Sequence, residues 1–185
     1  MAYFNPGVVM RYFFKLLEGV VILPLMNDVA RQPALWNVNK TRTTFEGTPH
    51  AQVDDILLRF GKPDGDDLEA VDLPAMAALS KAKQLALNVM QVVGGSRLGR
   101  VVITKLEPGK KILPHADVKG LYSKYYTRYH VVLLGLPGSL FTCGDETVNM
   151  RTGDAWWFDA SQTHSLSNNS ADDRVHLLVD VRIDP

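Results

Sequence analysis

The C-terminal half of the chain is a succession of short apolar segments separated by glycine, proline and aspartate, and this pattern limits the possible folds. The segments between residues 99 and 184 are rich in β-branched and aromatic residues. Short segments of this kind predict strands of a sandwich or jelly-roll barrel. The predicted strands are Val101–Leu106, Ile112–Asp117, Tyr126–Leu134, Leu140–Thr142, Thr147–Met150, Ala155–Phe158 and Arg174–Val181. We therefore expect a mainly β protein.

Helical patterns precede the strands. The apolar residues at helical spacing near the N-terminus are Val9, Tyr12, Phe13, Leu16 and Leu17. They predict a helix, although Gly19 and Pro24 exclude one unbroken helix over residues 1–35. A polar loop is predicted at residues 64–67, and a second helical region begins at Pro74 and ends at Gly94. Its predicted buried stripe is Met76, Leu79, Ala82, Leu85 and Val93.

Helices followed by strands favour one domain in which helices support a sheet from outside. We expect a single domain over residues 1–185, with residues 1–97 as a helical or mixed support region and residues 98–184 as the β core. A chain of 185 residues is long enough to bury such a core.

Charge and cysteine content exclude several classes of protein. Twenty basic and twenty acidic residues give a net charge of zero, which provides no general attraction for nucleic acid or anionic membranes. Cys143 is the only cysteine, so any metal would be held by histidine and carboxylate groups. The uncharged stretch 19–26 is too short to span a bilayer, and no signal-peptide pattern is present. We expect a cytoplasmic protein, and no feature predicts its oligomeric state.

The tripeptide His115-Ala116-Asp117 is the sharpest chemical motif. Alternate residues of a strand point to the same face, so its imidazole and carboxylate can reach one ion. His164 is the best candidate for a third ligand, which would complete a 2-His-1-carboxylate site with open positions on Fe(II). An isolated His-x-Asp is also compatible with an ion pair in a surface turn.

Arg174 begins an otherwise apolar strand. A buried guanidinium without a partner is costly, so this position favours a bound anion such as a carboxylate. The alternative is a surface arginine paired with Asp172 or Asp173. His176 lies on the same face of the strand, where a hydrogen-bonding role is favoured over a ligand role. Its role and that of His50 are not predicted further.

A second pair, Arg128 and His130, begins the apolar face of another predicted strand. Two polar groups at this position suggest a pocket that receives an anion. A strand end near solvent, with Arg128 exposed, explains the pattern equally well.

These motifs together resemble the aspartyl/asparaginyl β-hydroxylase family, which is related to bacterial proline hydroxylases. The resemblance covers about residues 98–184, where the motifs match in order and approximate spacing. The matching positions are residues 112–117, residues 128–130, Gly153, residues 158–159, His164, Asn168 and residues 174–180.

The resemblance implies a double-stranded β-helix with Fe(II) as the metal and 2-oxoglutarate as the co-substrate. By position, His115, Asp117 and His164 would hold the iron, and Arg174 would pair with the distal carboxylate of 2-oxoglutarate. Arg128 and His130 would help to hold its iron-chelating end. The implied reaction is hydroxylation of an amino-acid residue, free or within a peptide or protein, with release of succinate and CO2.

Two alternatives remain at this stage: a cupin-like metal enzyme that does not use 2-oxoglutarate, and a non-enzymatic jelly-roll binding module. The segment from Gly120 to Thr127 is rich in tyrosine and lysine and predicts either a lid over the site or a solvated hairpin loop. The candidate contacts for a substrate carboxylate, which the sequence does not rank, are Arg42, Arg59, Lys124 and Arg151.

Overall fold

The computed structural model describes residues 10–61, 69–117 and 121–184, and these residues form two antiparallel sheets with flanking helices. The strands are β1 Phe13–Leu17, β2 Asp54–Gly61, β3 Ala70–Asp72, β4 Arg97–Leu106, β5 Lys111–His115, β6 Tyr126–Leu134, β7 Ser139–Cys143, β8 Glu146–Val148, β9 Ala155–Phe158, β10 His164–Asn168 and β11 Arg174–Arg182. The helices are α1 Leu23–Ala30, α2 Pro74–Ala78, α3 Ser80–Val92 and α4 Leu121–Tyr125, with a 3-10 turn at Pro33–Leu35. Within these residues, no helix is both long and apolar enough to cross a membrane.

The two sheets form a double-stranded β-helix, which confirms the predicted fold class. The larger sheet has the strand order β1-β9-β6-β11-β4-β2-β3, and the smaller has the order β5-β10-β7-β8. From β4 to β11 the chain passes repeatedly between the sheets, as a jelly roll requires. Strands β1, β2 and β3, from the N-terminal half, extend the larger sheet at its two edges.

The larger sheet is buried on both faces, and β11 shows this most clearly. Val175, Leu177 and Val179 pack under the helices together with α3 residues such as Ala82 and Val89. The alternate residues of β11 point between the two sheets, where side chains such as Phe141 and Trp156 form a second core. Because the helices cover the outer face, polar side chains on the inner face are enclosed within the barrel.

The predicted N-terminal helix is wrong. Residues Phe13–Leu17 form strand β1, which pairs antiparallel with β9. Phe13 is buried in the inter-sheet core while Phe14 is exposed, so the true period of the segment is two. Val9 lies outside the described residues. Pro24 occupies the first turn of α1, where the missing N–H costs nothing.

Most of the remaining predicted elements agree with the structure. The helical region begins at Pro74 as predicted, its stripe packs against the larger sheet, and α3 ends just before Gly94, which has a φ of 67°. Strands β6 and β9 have the predicted bounds, whereas β5 ends at His115, two residues earlier than expected. Strand β10 was not predicted. The predicted polar loop at residues 64–67 lies outside the described residues.

Candidate metal centre

The two histidines of the predicted metal site are direct partners across two strands. His115 ends β5 and His164 begins β10, and the antiparallel register places them opposite each other. Their ring centroids lie 4.2 Å apart. Residues opposite each other in an antiparallel pair have Cβ atoms about 5 Å apart, close enough for both imidazoles to reach one ion. The structure therefore brings together two residues that are distant in sequence.

A backbone carbonyl orients each imidazole. His115 Nδ1 lies 2.7 Å from the carbonyl oxygen of Leu113, and His164 Nδ1 lies 3.0 Å from that of Gln162. A carbonyl oxygen only accepts hydrogen bonds, so each histidine donates from Nδ1, and in the neutral tautomer this leaves a lone pair on Nε2. This is how metal-binding histidines are usually held.

A bulge in β5 supplies one of these carbonyls. The register between β5 and β10 shifts between the His164–His115 and Leu166–Ile112 pairs, which leaves an extra residue on β5. Pro114 lies in this bulge and has no N–H to contribute to the ladder. The irregularity leaves the Leu113 carbonyl close to the imidazole of His115.

Asp117 lies just beyond the end of β5, and two contacts fix it. Its N–H donates to the Ala160 carbonyl at 2.8 Å, and its Oδ2 accepts from Arg128 Nη1 at 3.1 Å. Its other oxygen, Oδ1, lies 3.7 Å from His115 Nε2. One possible ligand atom from each of His115, Asp117 and His164 lies within 4.8 Å of the other two.

The donor set suits a divalent transition metal. Two imidazoles and one carboxylate on neighbouring segments leave coordination positions open, which is the arrangement that Fe(II) oxygenases use. Burial lowers the pKa of His164, so this imidazole is neutral and its lone pair is available at neutral pH. The residues present therefore fit Fe(II) by type, tautomer and proximity.

Arg174 is enclosed within the barrel with no acidic partner among the described residues. It is 3% exposed, and its pairing with Asp172 or Asp173 at the surface, the alternative considered from sequence, is not observed there. Its Nη2 lies 3.1 Å from His176 Nδ1. Burial lowers the pKa of Arg174 to about 9, which reflects a charge that lacks compensation. Such a group is suited to bind an anion.

Arg128 forms ion pairs with two carboxylates, those of Asp117 and Asp180. Its Nε and Nη2 donate to the two oxygens of Asp180, at 2.8 and 3.0 Å, across the β6–β11 pair. Burial alone would lower the pKa of Arg128, but Asp180 and Asp117 together outweigh this effect and the pKa is raised. An exposed Arg128 at a strand end, one of the two alternatives considered from sequence, is not observed, because its side chain is 22% exposed. His130 is also buried, and its Nδ1 lies 3.3 Å from His176 Nδ1.

Two adjoining cavities give access to these groups. The inner cavity, of about 30 Å³, is bounded by the metal-site residues, His130 and Arg174. The outer cavity, of about 430 Å³, has aromatic residues such as Tyr122 and Tyr126 in its wall. The inner cavity holds only one or two waters, so a larger ligand must widen it.

Residues Leu121–Tyr125 form the short helix α4 and not a hairpin loop, which was one of the two alternatives for this segment, and residues 118–120 lie outside the described residues. The rings of Tyr122 and Tyr126 stack at a centroid distance of 4.4 Å. A lid function for this segment stays a prediction.

Two further residues of the site come from the irregular segment before β2. Of the four cations considered from sequence, Arg42 alone lines the cavities, and its Nε lies 3.2 Å from Asp55 Oδ2. His50 lies edge-on to His115, with ring centroids 5.0 Å apart, and burial lowers its pKa to about 2. No sequence signal identified this position of His50.

The fold and the donor set together are those of a jelly-roll protein with a candidate 2-His-1-carboxylate site, the arrangement that non-haem Fe(II) oxygenases use. The model of the aspartyl/asparaginyl β-hydroxylase family matches residues 69–183, more than half of the chain. The chain belongs to this family, as the resemblance predicted.

Curated relatives agree with this assignment. An L-proline cis-4-hydroxylase of Rhizobium meliloti (strain 1021) is 29% identical over 126 residues, which span 66% of this chain and 44% of the relative. An L-proline cis-3-hydroxylase of Streptomyces sp is 30% identical over 98 residues, which span 52% and 33%. The chain thus matches less than half the length of each relative.

Solved structures share the fold at low sequence identity. A prolyl-4-hydroxylase of Pseudomonas putida has a TM-score of 0.56 and 13% identity, and the match covers 95% of each chain. An oxidoreductase of the 2OG-Fe(II) oxygenase family from Burkholderia pseudomallei has a TM-score of 0.55 and 14% identity, with 83% of this chain and 77% of that chain covered.

Proposed function

We propose that this protein is an Fe(II)- and 2-oxoglutarate-dependent dioxygenase that hydroxylates an amino-acid residue, either free or within a peptide or protein. The observation that carries the proposal is the cluster of His115, Asp117 and His164 beside the buried Arg174, which has no acidic partner among the described residues. The cluster fits Fe(II), and the guanidinium fits the distal carboxylate of a dicarboxylic acid.

Each residue has a distinct part in this proposal. His115, Asp117 and His164 hold the metal, and Arg128 holds the second oxygen of Asp117 so that Oδ1 faces the imidazoles. Arg174 anchors the distal carboxylate of 2-oxoglutarate by a charge-assisted pair. Arg128, which is paired with Asp180 and Asp117, acts through the position of Asp117. Bound Fe(II) and 2-oxoglutarate supply the activation of O2 that oxidises an unreactive C–H bond, with succinate and CO2 as co-products.

The protein's remaining contribution is to exclude water and position the substrate. Phe141 and Phe158 pack against the ring of His164 and shield it from water. The outer cavity reaches Asp117 and has both cationic and aromatic walls, so it is the place where the substrate would lie. Because both curated relatives are named as proline hydroxylases, L-proline is the first substrate to test.

The test is anaerobic loading with Fe(II) and 2-oxoglutarate, followed by exposure to O2 and measurement of succinate. The panel contains L-proline, other free amino acids and short peptides. We expect metal-dependent succinate release, coupled to a product 16 mass units heavier when the right substrate is present, where 16 is the approximate mass of oxygen. Failure to bind 2-oxoglutarate in the presence of Fe(II) would refute the proposal.

The same experiment separates the proposal from a metal enzyme that does not use 2-oxoglutarate. In that case the R174M variant would keep full activity on its own substrate. A binding module without activity would hold no stoichiometric metal at the His115, Asp117 and His164 cluster.

A further inference from the structure

Behind the inner cavity, three buried polar side chains form a connected chain across β6 and β11. His176 Nδ1 lies 3.1 Å from Arg174 Nη2 and 3.3 Å from His130 Nδ1. His176 is 0% exposed, and its position on β11 is diagonal to that of His130 on β6. One nitrogen atom of His176 thus faces two other polar groups, in a place that water does not reach.

The hydrogen-bond partners of His176 determine which of its ring nitrogens carries the proton. A guanidinium has five N–H donors and no acceptor, so the Nδ1 that faces Arg174 must carry a lone pair. Burial, with Arg174 and His130 as further causes, lowers the pKa of His176 well below its ordinary value. The imidazole is therefore neutral and carries its single proton on Nε2.

The same reasoning extends to His130. Two lone pairs facing each other at 3.3 Å would repel, so His130 must direct an N–H from Nδ1 toward the lone pair of His176. His130 is also held neutral by burial and by Arg174, which lower its pKa. Its Nε2 then carries a lone pair, and this buried atom has no hydrogen-bond partner among the described residues.

We propose that His176 is a positioning residue whose single acceptor atom, Nδ1, orients the Arg174 guanidinium and fixes His130 as the Nδ1–H tautomer. The part of this inference that concerns 2-oxoglutarate rests on the proposed function. Arg174, held through Nη2, keeps its other N–H groups for an incoming carboxylate. His130 presents a lone pair at the wall of the inner cavity, so it accepts a hydrogen bond from a water or hydroxyl and does not donate to a carboxylate.

The tautomers are tested first, on the metal-free protein with ¹⁵N-labelled histidine. Long-range ¹H–¹⁵N correlation spectra distinguish a protonated from an unprotonated ring nitrogen. We expect His176 protonated on Nε2 and His130 protonated on Nδ1. The H176N and H130N variants assign the signals. A proton on His176 Nδ1 would overturn the inference, whatever the protein's activity.

The positioning role is tested with two variants of similar size. In H176N the side-chain oxygen can replace the Nδ1 acceptor, whereas H176L has no acceptor. We expect H176L to weaken 2-oxoglutarate binding about tenfold or more, and H176N to stay within about threefold of the unmodified protein. The KM for 2-oxoglutarate should rise more than kcat falls, and the affinity for Fe(II) should not change.

The resonances of the Arg174 guanidinium provide a measurement that needs no ligand. We expect them to shift and broaden in H176L but not in H176N. Equal 2-oxoglutarate affinity and equal Arg174 spectra in the two variants would refute the positioning role. If the unmodified protein binds no 2-oxoglutarate, the proposed function fails while the tautomers and Arg174 spectra still decide this inference. If H176L does not fold, the tautomers and H176N decide it.

Discussion

Replacement of Arg174 by methionine should separate ligand binding from stability. The two charge-assisted hydrogen bonds expected between a guanidinium and a carboxylate contribute about 1.5–3 kcal/mol each. Their loss should weaken 2-oxoglutarate binding by a factor of roughly 10² to 10⁴. The methionine side chain keeps the apolar stem in the core, so the effect reports on the charge.

The same substitution should raise stability when no ligand is present. Burial lowers the pKa of Arg174 from its ordinary value to about 9, which corresponds to roughly 5 kcal/mol of uncompensated charge, because an arginine stays protonated. Recovery of even about 1 kcal/mol would raise Tm by about 2–4 °C. In the unmodified protein, 2-oxoglutarate with Fe(II) should add stability that the variant lacks.

Calorimetric titration of the anaerobic Fe(II) protein and thermal unfolding measure the two effects. Arg59 is a matched control because it pairs with Asp72 away from the site, so R59M should leave 2-oxoglutarate affinity unchanged. The reasoning would be refuted if R174M bound 2-oxoglutarate within about threefold of the unmodified protein. Destabilisation by more than about 1 kcal/mol would contradict the account of the buried charge.

Three further predictions concern other parts of the site. D117A should weaken Fe(II) or Mn(II) binding in equilibrium dialysis by more than about 100-fold, while D145A, at an exposed ion pair, should not; equal affinity would contradict the ligand role. R128M should lower the free energy of unfolding in urea by about 3–5 kcal/mol because it leaves the buried Asp180 without its partner. Adding D180N to this variant should recover much of the loss. His50, His130 and His176 have pKa values lowered in the fold, so below about pH 6.5 only the unfolded chain gains their protons. The free energy of unfolding of the metal-free protein should therefore have its full value above that pH and fall by roughly 4 kcal/mol between about pH 5.5 and 4.5. A free energy of unfolding that does not change over this range would show that these histidines titrate normally.

Strong local patterns were the ones that could be predicted from sequence. Strands β6 and β9 are dominated by β-branched and aromatic residues, and their predicted bounds match the structure. Strand β10 has a single apolar residue, Leu166, among His164, two serines and Asn168, so its polar composition concealed it. In β1, five residues are too few to distinguish a period of two from a helical period.

In the candidate site, too, local patterns predicted some features, and others depend on the tertiary structure. The convergence of His115, Asp117 and His164 was predicted because a two-residue spacing and a family resemblance both indicated it. The contributions of Arg42 and His50 depend on how an irregular segment crosses the barrel mouth, which no periodicity encodes. Likewise, the pairing of Arg128 with Asp180 follows from the register of β6 and β11, which the separate strand patterns do not determine.

Because of the bulge at Pro114, the position of His115 relative to the other candidate ligands depends on the register of β5, an edge strand of the smaller sheet. Side chains of a strand alternate between faces, so sliding β5 by one residue would turn the imidazole of His115 away from His164. Deletion of one residue from the bulge should therefore abolish metal uptake even if the barrel still folds. The metal affinity of this protein therefore reports on the register between β5 and β10.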